Sequence, residues 1–318
     1  MTRVSPNLFL VGAMKAGTSS LHEYLHQHPQ IFMSRFKEPQ YFAPHRTQYG
    51  MWGQGQPLPE PGIDWYLRLF AEAGDAVYAG ESSVSYTARH WVSVCEQRIW
   101  EFNPQARIIF LMRDPVERAI SHYWHFVAAG RETLPPEQAL RERDDYVARS
   151  DYAYQIEPYM RRFGQDRVYL LTLEELQTDP GSTFARLFAW LGVDDSIQID
   201  TSERHNVRER ELRQARSYAR PLVKLMHGWR WETWKSRLPQ ALIRGLERAS
   251  YREVDRAAVQ LEAISKELAE RLAPRVRSLE RLTGRAYCEW SGRGDTAKLA
   301  AEEGRESAVT YSSHIDCL

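Results

Sequence analysis

The chain has 318 residues, with 42 Lys and Arg balanced by 42 Asp and Glu for a formal net charge of zero. That length can bury a full core, as one large domain or a domain with an extension, and 43% hydrophobic with 26% charged residues is a soluble globular composition. The charge balance gives no nucleic-acid signature. No apolar stretch reaches the roughly 20 residues that a membrane-spanning helix needs. Cys95, Cys288 and Cys317 are widely scattered, with neither a metal-binding spacing nor a disulfide framework, as expected in a reducing compartment. The apolar run before Lys15 is too short for a signal peptide, so a cytoplasmic location is expected.

In chain order, the first informative stretch is Leu8 to Leu21, LFLVGAMKAGTSSL. It reads as a strand from Leu8 to Val11, a glycine turn, and a helix beginning near Thr18. The unpaired amides of a first helical turn and the positive end of the helix dipole make such a turn an anion site. Lys15 adds a positive charge, and Thr18, Ser19 and Ser20 add hydroxyls. The segment Lys15, Ala16, Gly17, Thr18, Ser19, Ser20 is therefore a candidate phosphate cradle. It departs from the G-x-x-x-x-G-K-[ST] nucleotide loop: Gly12 and Gly17 have that spacing, but Thr18 stands where the lysine belongs, and the lysine has moved to position 15. The spacing alone leaves an incidental strand-to-helix turn equally open.

Further strands are expected at Ala76 to Ala79, Ile108 to Met112 and Val168 to Leu171. Helices are expected at Ser19 to Gln27, Trp65 to Ala73, Arg89 to Phe102, Pro115 to Ala129 and Ile156 to Phe163. This alternation predicts an α/β fold whose parallel sheet is covered on both faces, with ligands bound beyond the carboxyl ends of the strands. Residues 48–62, rich in Gly, Pro and Gln, read as a surface loop.

The second informative stretch is RIIFLMRDPVERAISHYWH, from Arg107. A strand ends at Met112, Arg113 and Asp114 follow, and Pro115 opens a helix. Arg113 can hold a phosphate through two parallel hydrogen bonds, and Ser121, two turns into the helix, can reach the same group. Arg118 is placed to pair with Asp114 at i+4. The residues alone leave open a capping ion pair of Arg113 with Asp114, with Ser121 a surface hydroxyl. No strand ends in an acid suited to holding magnesium.

From about Glu203 the pattern changes to helices only. Residues 204–252 hold 13 Arg or Lys against four Glu, a local excess of +9, and include Trp229, Trp231 and Trp234. Such a block can hold an acidic glycan, lie on an anionic membrane surface or form a partner or homo-oligomer interface. Equally, it can be Arg-rich helices with solvated faces and buried tryptophans. Residues 291–318 are polar and lack periodicity, and read as a tail.

The pairing of KAGTSSL with RDPVERAISHY resembles the two cofactor motifs of PAPS-dependent sulfotransferases. Further segments resemble the carbohydrate-type branch, the heparan sulfate sulfotransferases and their bacterial relatives. These are His28-Pro29, FKEPQYFA from Phe36, GIDWYLRLF from Gly62, GESSVSYT from Gly80, SDYAYQIEPYMRRFG from Ser150 and VYLLTLEELQTDP from Val168. The resemblance covers residues 7–192 and fades after Glu203. SKELAERLAPRVRSLERLTGRAYCEW, from Ser265, resembles the last helix and closing segment of bacterial members.

The resemblance implies a P-loop-like three-layer α/β fold with a central parallel sheet and a helical C-terminal extension. The expected organisation is one domain over residues 1–290 (core 7–192, extension 203–290) and a tail over 291–318. PAPS, 3'-phosphoadenosine 5'-phosphosulfate, is the implied co-substrate, PAP the product, and no metal is expected. The implied contacts are Lys15 to Ser20 for the 5'-phosphosulfate and Arg113 with Ser121 for the 3'-phosphate. Lys15 would stabilise the leaving phosphate, and Glu38 of the KEPQYF segment would be the base, its pKa raised by burial near Tyr41 and Phe42. From the residues alone, a solvated pair of Lys37 and Glu38 on a loop is the favoured reading. His90 is the rival base. Glu81, Tyr152, Asn206 and Arg208 are further candidate cofactor or substrate contacts, with Glu81 placed to orient substrate or Lys15. His22, His26, His28, His122 and His125 are read as packing or surface groups. The acceptor, a glycan, lipid or small molecule, is not specified. The rival classes are a P-loop kinase or NTPase and a non-catalytic nucleotide-binding protein.

Overall fold

The computed structural model describes residues 5–44, 62–202, 211–219, 222, 240–255 and 260–290. Its centre is a five-stranded sheet of β1 (Leu8–Gly12), β2 (Ile31–Met33), β3 (Tyr78–Ser82), β4 (Arg107–Met112) and β5 (Val168–Thr172). The strand order is β2-β3-β1-β4-β5, and every pairing is parallel. All five residues of β1 are buried. Because successive side chains point to opposite faces, this means that both faces of the sheet are covered, which makes the architecture three-layered.

The helices are α1 (Thr18–His26), α2 (Ile63–Arg68), α3 (Val92–Phe102), α4 (Pro115–Ala128), α5 (Pro136–Glu142), α6 (Asp144–Ala148), α7 (Tyr152–Phe163), α8 (Leu173–Thr178), α9 (Pro180–Leu191), α10 (Gln240–Ser250) and α11 (Glu262–Thr283). The main core joins the sheet to α1, α3, α7 and α9 and extends to Tyr287 and Trp290. A second core joins α4, α5 and α6 to Ile264, Leu268 and Leu272 of α11. The last helix thus bridges both cores, and the closing aromatics stack at 4.4 Å near the carboxyl end of the sheet, where Trp290 Nε1 donates to Glu174 at 3.3 Å.

Several boundaries differ from the sequence reading. Strand β3 starts two residues later than expected and runs through Glu81. Helix α2 ends at Arg68 and is followed by turns, while α3 begins at Val92 because residues 89–91 form a turn. Helix α7 begins a turn earlier, at Tyr152, since the Asp151 carboxylate caps it by accepting from Tyr154 N at 3.3 Å. The C-terminal part is not helical throughout: β6 (Glu211–Ala215) pairs antiparallel with β7 (Tyr251–Asp255). The strands are separated by residues 216–250, so no hairpin turn announces them in the sequence.

Candidate active site

The loops after β1 and β4 set the geometry, since these strands are neighbours in the sheet. From β1 the chain proceeds toward β2, and from β4 toward β5, on opposite sides. A crevice opens at such a divergence, beyond the carboxyl ends of the strands. The first loop is tied to the sheet at once, with Ala13 N donating to Leu111 O of β4 at 2.6 Å. Gly12 must be glycine. A Cβ there would lie 2.5 Å from Thr87 Oγ1 and 2.8 Å from the Phe110 ring. Gly12→Ala is therefore expected to cost about 1–3 kcal/mol through overpacking, read as a lower urea midpoint.

Lys15 and Gly17 both adopt positive φ, 71° and 102°. Gly17 is the N-cap of α1 and leaves that helix with no side-chain cap, so its N-terminal end faces the turn. Thr18 is buried, while Ser19 and Ser20 are half-buried.

The second loop carries Arg113 immediately after β4. Asp114 caps α4, accepting from Val116 N at 2.8 Å and Glu117 N at 3.0 Å. Arg113 does not form the capping pair left open by the sequence. Its guanidinium pairs with Glu117, one turn into the helix, at 3.0 Å. Ser121 lies a further turn along, half-buried, so Glu117 and Ser121 share one face of α4, and Arg113 in the preceding loop reaches that face through Glu117. Tyr152 supports this loop, as its hydroxyl donates to the carbonyl of Arg113 at 2.8 Å. The pairing expected between Arg118 and Asp114 is replaced. Arg118 is buried and donates from Nε to Ser150 Oγ at 2.6 Å and from a terminal nitrogen to the carbonyl of Tyr146, because α4 turns this residue toward α6 and α7.

The largest addition from the structure is at Lys37 and Glu38. They are not a solvated pair. Their side chains are only 26% and 21% exposed, with 4.0 Å between ammonium and carboxylate. Lys37 Nζ donates to Ser19 Oγ at 2.5 Å, which joins the segment after β2 to the candidate phosphate loop. Burial lowers the Lys37 pKa, opposed by the charges of Glu38 and Glu23. The Glu38 carboxylate accepts from Val84 N at 3.0 Å. Burial raises its pKa to about 7, against the lowering effects of Lys37 and that amide.

Glu81 is fully buried at the end of β3. Its carboxylate accepts from Ser83 Oγ at 2.7 Å, Tyr86 OH at 2.6 Å and Tyr66 OH at 3.1 Å. Burial raises its pKa to about 7, despite these hydrogen bonds. His90 is exposed in the turn before α3. His22 packs inside, bonded to Ser82 Oγ at 2.7 Å and the carbonyl of Ser34 at 3.1 Å, and burial pushes its pKa down to about 4. His122 is buried against Phe126 and Tyr146, and His28 against Phe188, whereas His26 is exposed. Asn206 and Arg208 lie outside the described residues, as does most of the basic block around them.

Sequence reasoning missed Lys37 as a site residue, together with the hydroxyls around Glu81. The only local signal was the lysine adjoining a candidate base.

A sequence model of the Sulfotransferase family matches residues 6–198 of this chain. The chain belongs to the sulfotransferase family. This sulfotransferase is 24% identical over 215 residues to a mouse protein, bifunctional heparan sulfate N-deacetylase/N-sulfotransferase 1, a match covering 60% of this chain and 22% of the mouse protein. It is 26% identical over 198 residues to mouse heparan sulfate glucosamine 3-O-sulfotransferase 3A1, covering 59% of this chain and 46% of that protein. The chain thus spans less than half the length of either relative. Among solved structures, a sulfotransferase from Alicyclobacillus acidocaldarius superposes with a TM-score of 0.63 at 27% identity, covering 90% of this chain and 99% of that one.

Proposed function

We propose that the protein transfers the sulfuryl group of PAPS to a hydroxyl or amine of an acceptor, with a glycan as the favoured class. The observation that carries this reading is the convergence of Lys37 and Glu38 on the phosphate loop through the bond to Ser19. A half-buried carboxylate with a pKa near neutrality, close to a candidate anion cradle, supports a base for an attacking hydroxyl there. The mouse relatives are named for sulfation of heparan sulfate, which supports a glycan acceptor.

The residues fit the co-substrate. The close-packed Gly12, the positive-φ turn and the N-terminus of α1 suit a 5'-phosphosulfate, and Arg113 with Ser121 suits a 3'-phosphate. PAPS supplies an activated sulfur whose bond to the 5'-phosphate oxygen breaks as the acceptor oxygen or nitrogen bonds to sulfur. Glu38 takes the acceptor's proton, while Lys15 and the α1 amides hold the phosphate that departs with the bonding electron pair.

The test is transfer of label from radiolabelled PAPS to a panel of glycans, lipids and phenols without added metal. Label on an acceptor is the expected result. Magnesium-dependent ATP turnover with no PAP binding would overturn the reading in favour of a kinase or NTPase. The 3'-phosphate assignment has its own measurement. Arg113→Gln is expected to weaken PAP binding about tenfold or more in calorimetry, as loss of a charge-assisted contact does, and to leave adenosine 5'-phosphosulfate binding within about twofold. Equal weakening for both nucleotides would show that Arg113 does not read the 3'-phosphate.

A further inference from the structure

Glu81 is a buried carboxylate that the chemistry above does not use. Each of its three hydroxyl partners also holds one residue of the turn that follows Glu38. Ser83 Oγ accepts from Gln40 N at 3.1 Å, and Tyr86 OH accepts from Phe42 N at 3.3 Å. The Tyr66 ring stacks on Tyr41, with centroids 4.3 Å apart and planes inclined by 8°. The turn so held is a costly one, since Glu38 and Gln40 both have positive φ, 60° and 52°. For residues other than glycine this conformation persists only where the surroundings enforce it. Glu38 itself is pinned at both ends to the tip of β3: its N–H donates to Ser82 O at 2.9 Å and its carboxylate accepts from Val84 N.

We propose that Glu81 is a positioning residue for Glu38, holding residues 40–42 through Ser83, Tyr66 and Tyr86 so that the Glu38 carboxylate stays beside Lys37 and the phosphate loop. This inference rests on Glu38 being the base. The arrangement has a chemical logic. A carboxylate accepting from three hydroxyls orients all three, so each hydroxyl is turned to direct its oxygen lone pairs or its ring at the 40–42 segment. Removing the acceptor leaves those hydroxyls free to rotate, and the turn can relax toward negative φ.

The two carboxylates also sense one another, because the charge of Glu38 raises the pKa of Glu81, and the coupling is reciprocal. Glu81 further faces Tyr66 of α2, Tyr86 of the turn after β3, Cys95 of α3 and Tyr159 of α7. Lys37 faces Glu38, and Arg98 closes the turn at the carbonyls of Phe42 and Ala43. Burial brings both Glu38 and Glu81 to a pKa of about 7.

The experiment compares wild type, Glu81→Gln, Tyr86→Phe and Glu38→Gln in the labelled-PAPS assay, with calorimetric PAP binding and thermal melting on each. For Glu81→Gln we expect kcat to fall about tenfold or more, as small misplacements of a catalytic group do, with PAP affinity within about twofold. The acid limb of its kcat/KM profile should move to lower pH, because one negative charge opposing Glu38 ionisation is gone. Tyr86→Phe, which removes a donor to Glu81, should move the limb the same way by less and serves if Glu81→Gln does not fold. A purely structural role would lower the melting temperature and leave the limb in place. That outcome, with Glu38→Gln inactive, overturns this inference alone. Full activity of Glu38→Gln overturns the base assignment and this inference with it.

Discussion

Lys15→Ala is expected to lower kcat by about 10²–10³-fold while leaving the fold and its melting temperature nearly unchanged. The size follows from the role proposed for the ammonium. In that reaction the oxygen that bridges sulfur and the 5'-phosphate gains charge as the bond breaks, and a preorganised cation beside developing charge contributes on that scale. The stability expectation follows from the backbone. Lys15 sits at φ 71°, and alanine carries the same Cβ, so the substitution adds no new backbone strain. The competing cation is Lys37, which donates to Ser19 and lies 4.0 Å from Glu38. These contacts tie its charge to Ser19 and Glu38, which supports assigning the leaving group to Lys15 in the proposed reaction. If Lys15→Ala retains activity and Lys37→Ala loses it, the leaving-group role passes to Lys37. Lys15→Arg should not restore wild-type rates, because a planar guanidinium does not substitute for a compact point charge at a single bridging oxygen.

The residues that sequence reasoning located are those whose signal is local. Leu8 to Val11 is an unbroken apolar run before a glycine turn, and Ile108 to Met112 before Arg113, Asp114 and Pro115 is the same kind of signal with a helix start attached. Both turned out to be central strands, neighbours in the sheet, so the juxtaposition of the two candidate anion loops followed from local pattern and the parallel-sheet rule. Strand β2, three residues long, has no periodicity to display, yet it carries the chain to Lys37 and Glu38. The bond from Lys37 to Ser19 spans 18 positions, and the one from Tyr66 to Glu81 spans 15, and neither has a spacing rule. Glu81 illustrates the limit best. Its place at a strand's end pointed toward the crevice, but the strand runs three residues further than expected, to Ser82, and the carboxylate lies among tyrosines from α2 and the following turn. The β6–β7 pair was hidden for a related reason, since its partners are distant and its strands are rich in charge, which reads as helix surface.

Glu38→Gln should reduce kcat by about 10²–10⁴-fold, the range for removing a general base, with PAP affinity nearly intact. Glutamine keeps the side-chain length, and its carbonyl can still accept from Val84 N, so the turn at φ 60° is preserved and only the ability to take a proton is lost. The wild-type pH profile carries the same signature. With a pKa raised to about 7, kcat/KM should rise with pH through neutrality and level off above it, since the ionised form is the base. Stability has the opposite sign. Burial favours the protonated form in the folded state, so the favourable contribution is fully present below the ordinary value of 4.5 and is lost as pH rises through about 7. Glu38→Gln removes that loss, and the variant should melt at a higher temperature than wild type at pH 8 but not at pH 5. A variant both inactive and more stable at pH 8 is the mark of a base held partly desolvated for its chemistry. If the variant keeps wild-type transfer and His90→Ala loses it, the base is the exposed histidine before α3, and the burial of Glu38 serves only to seat Lys37 against the loop.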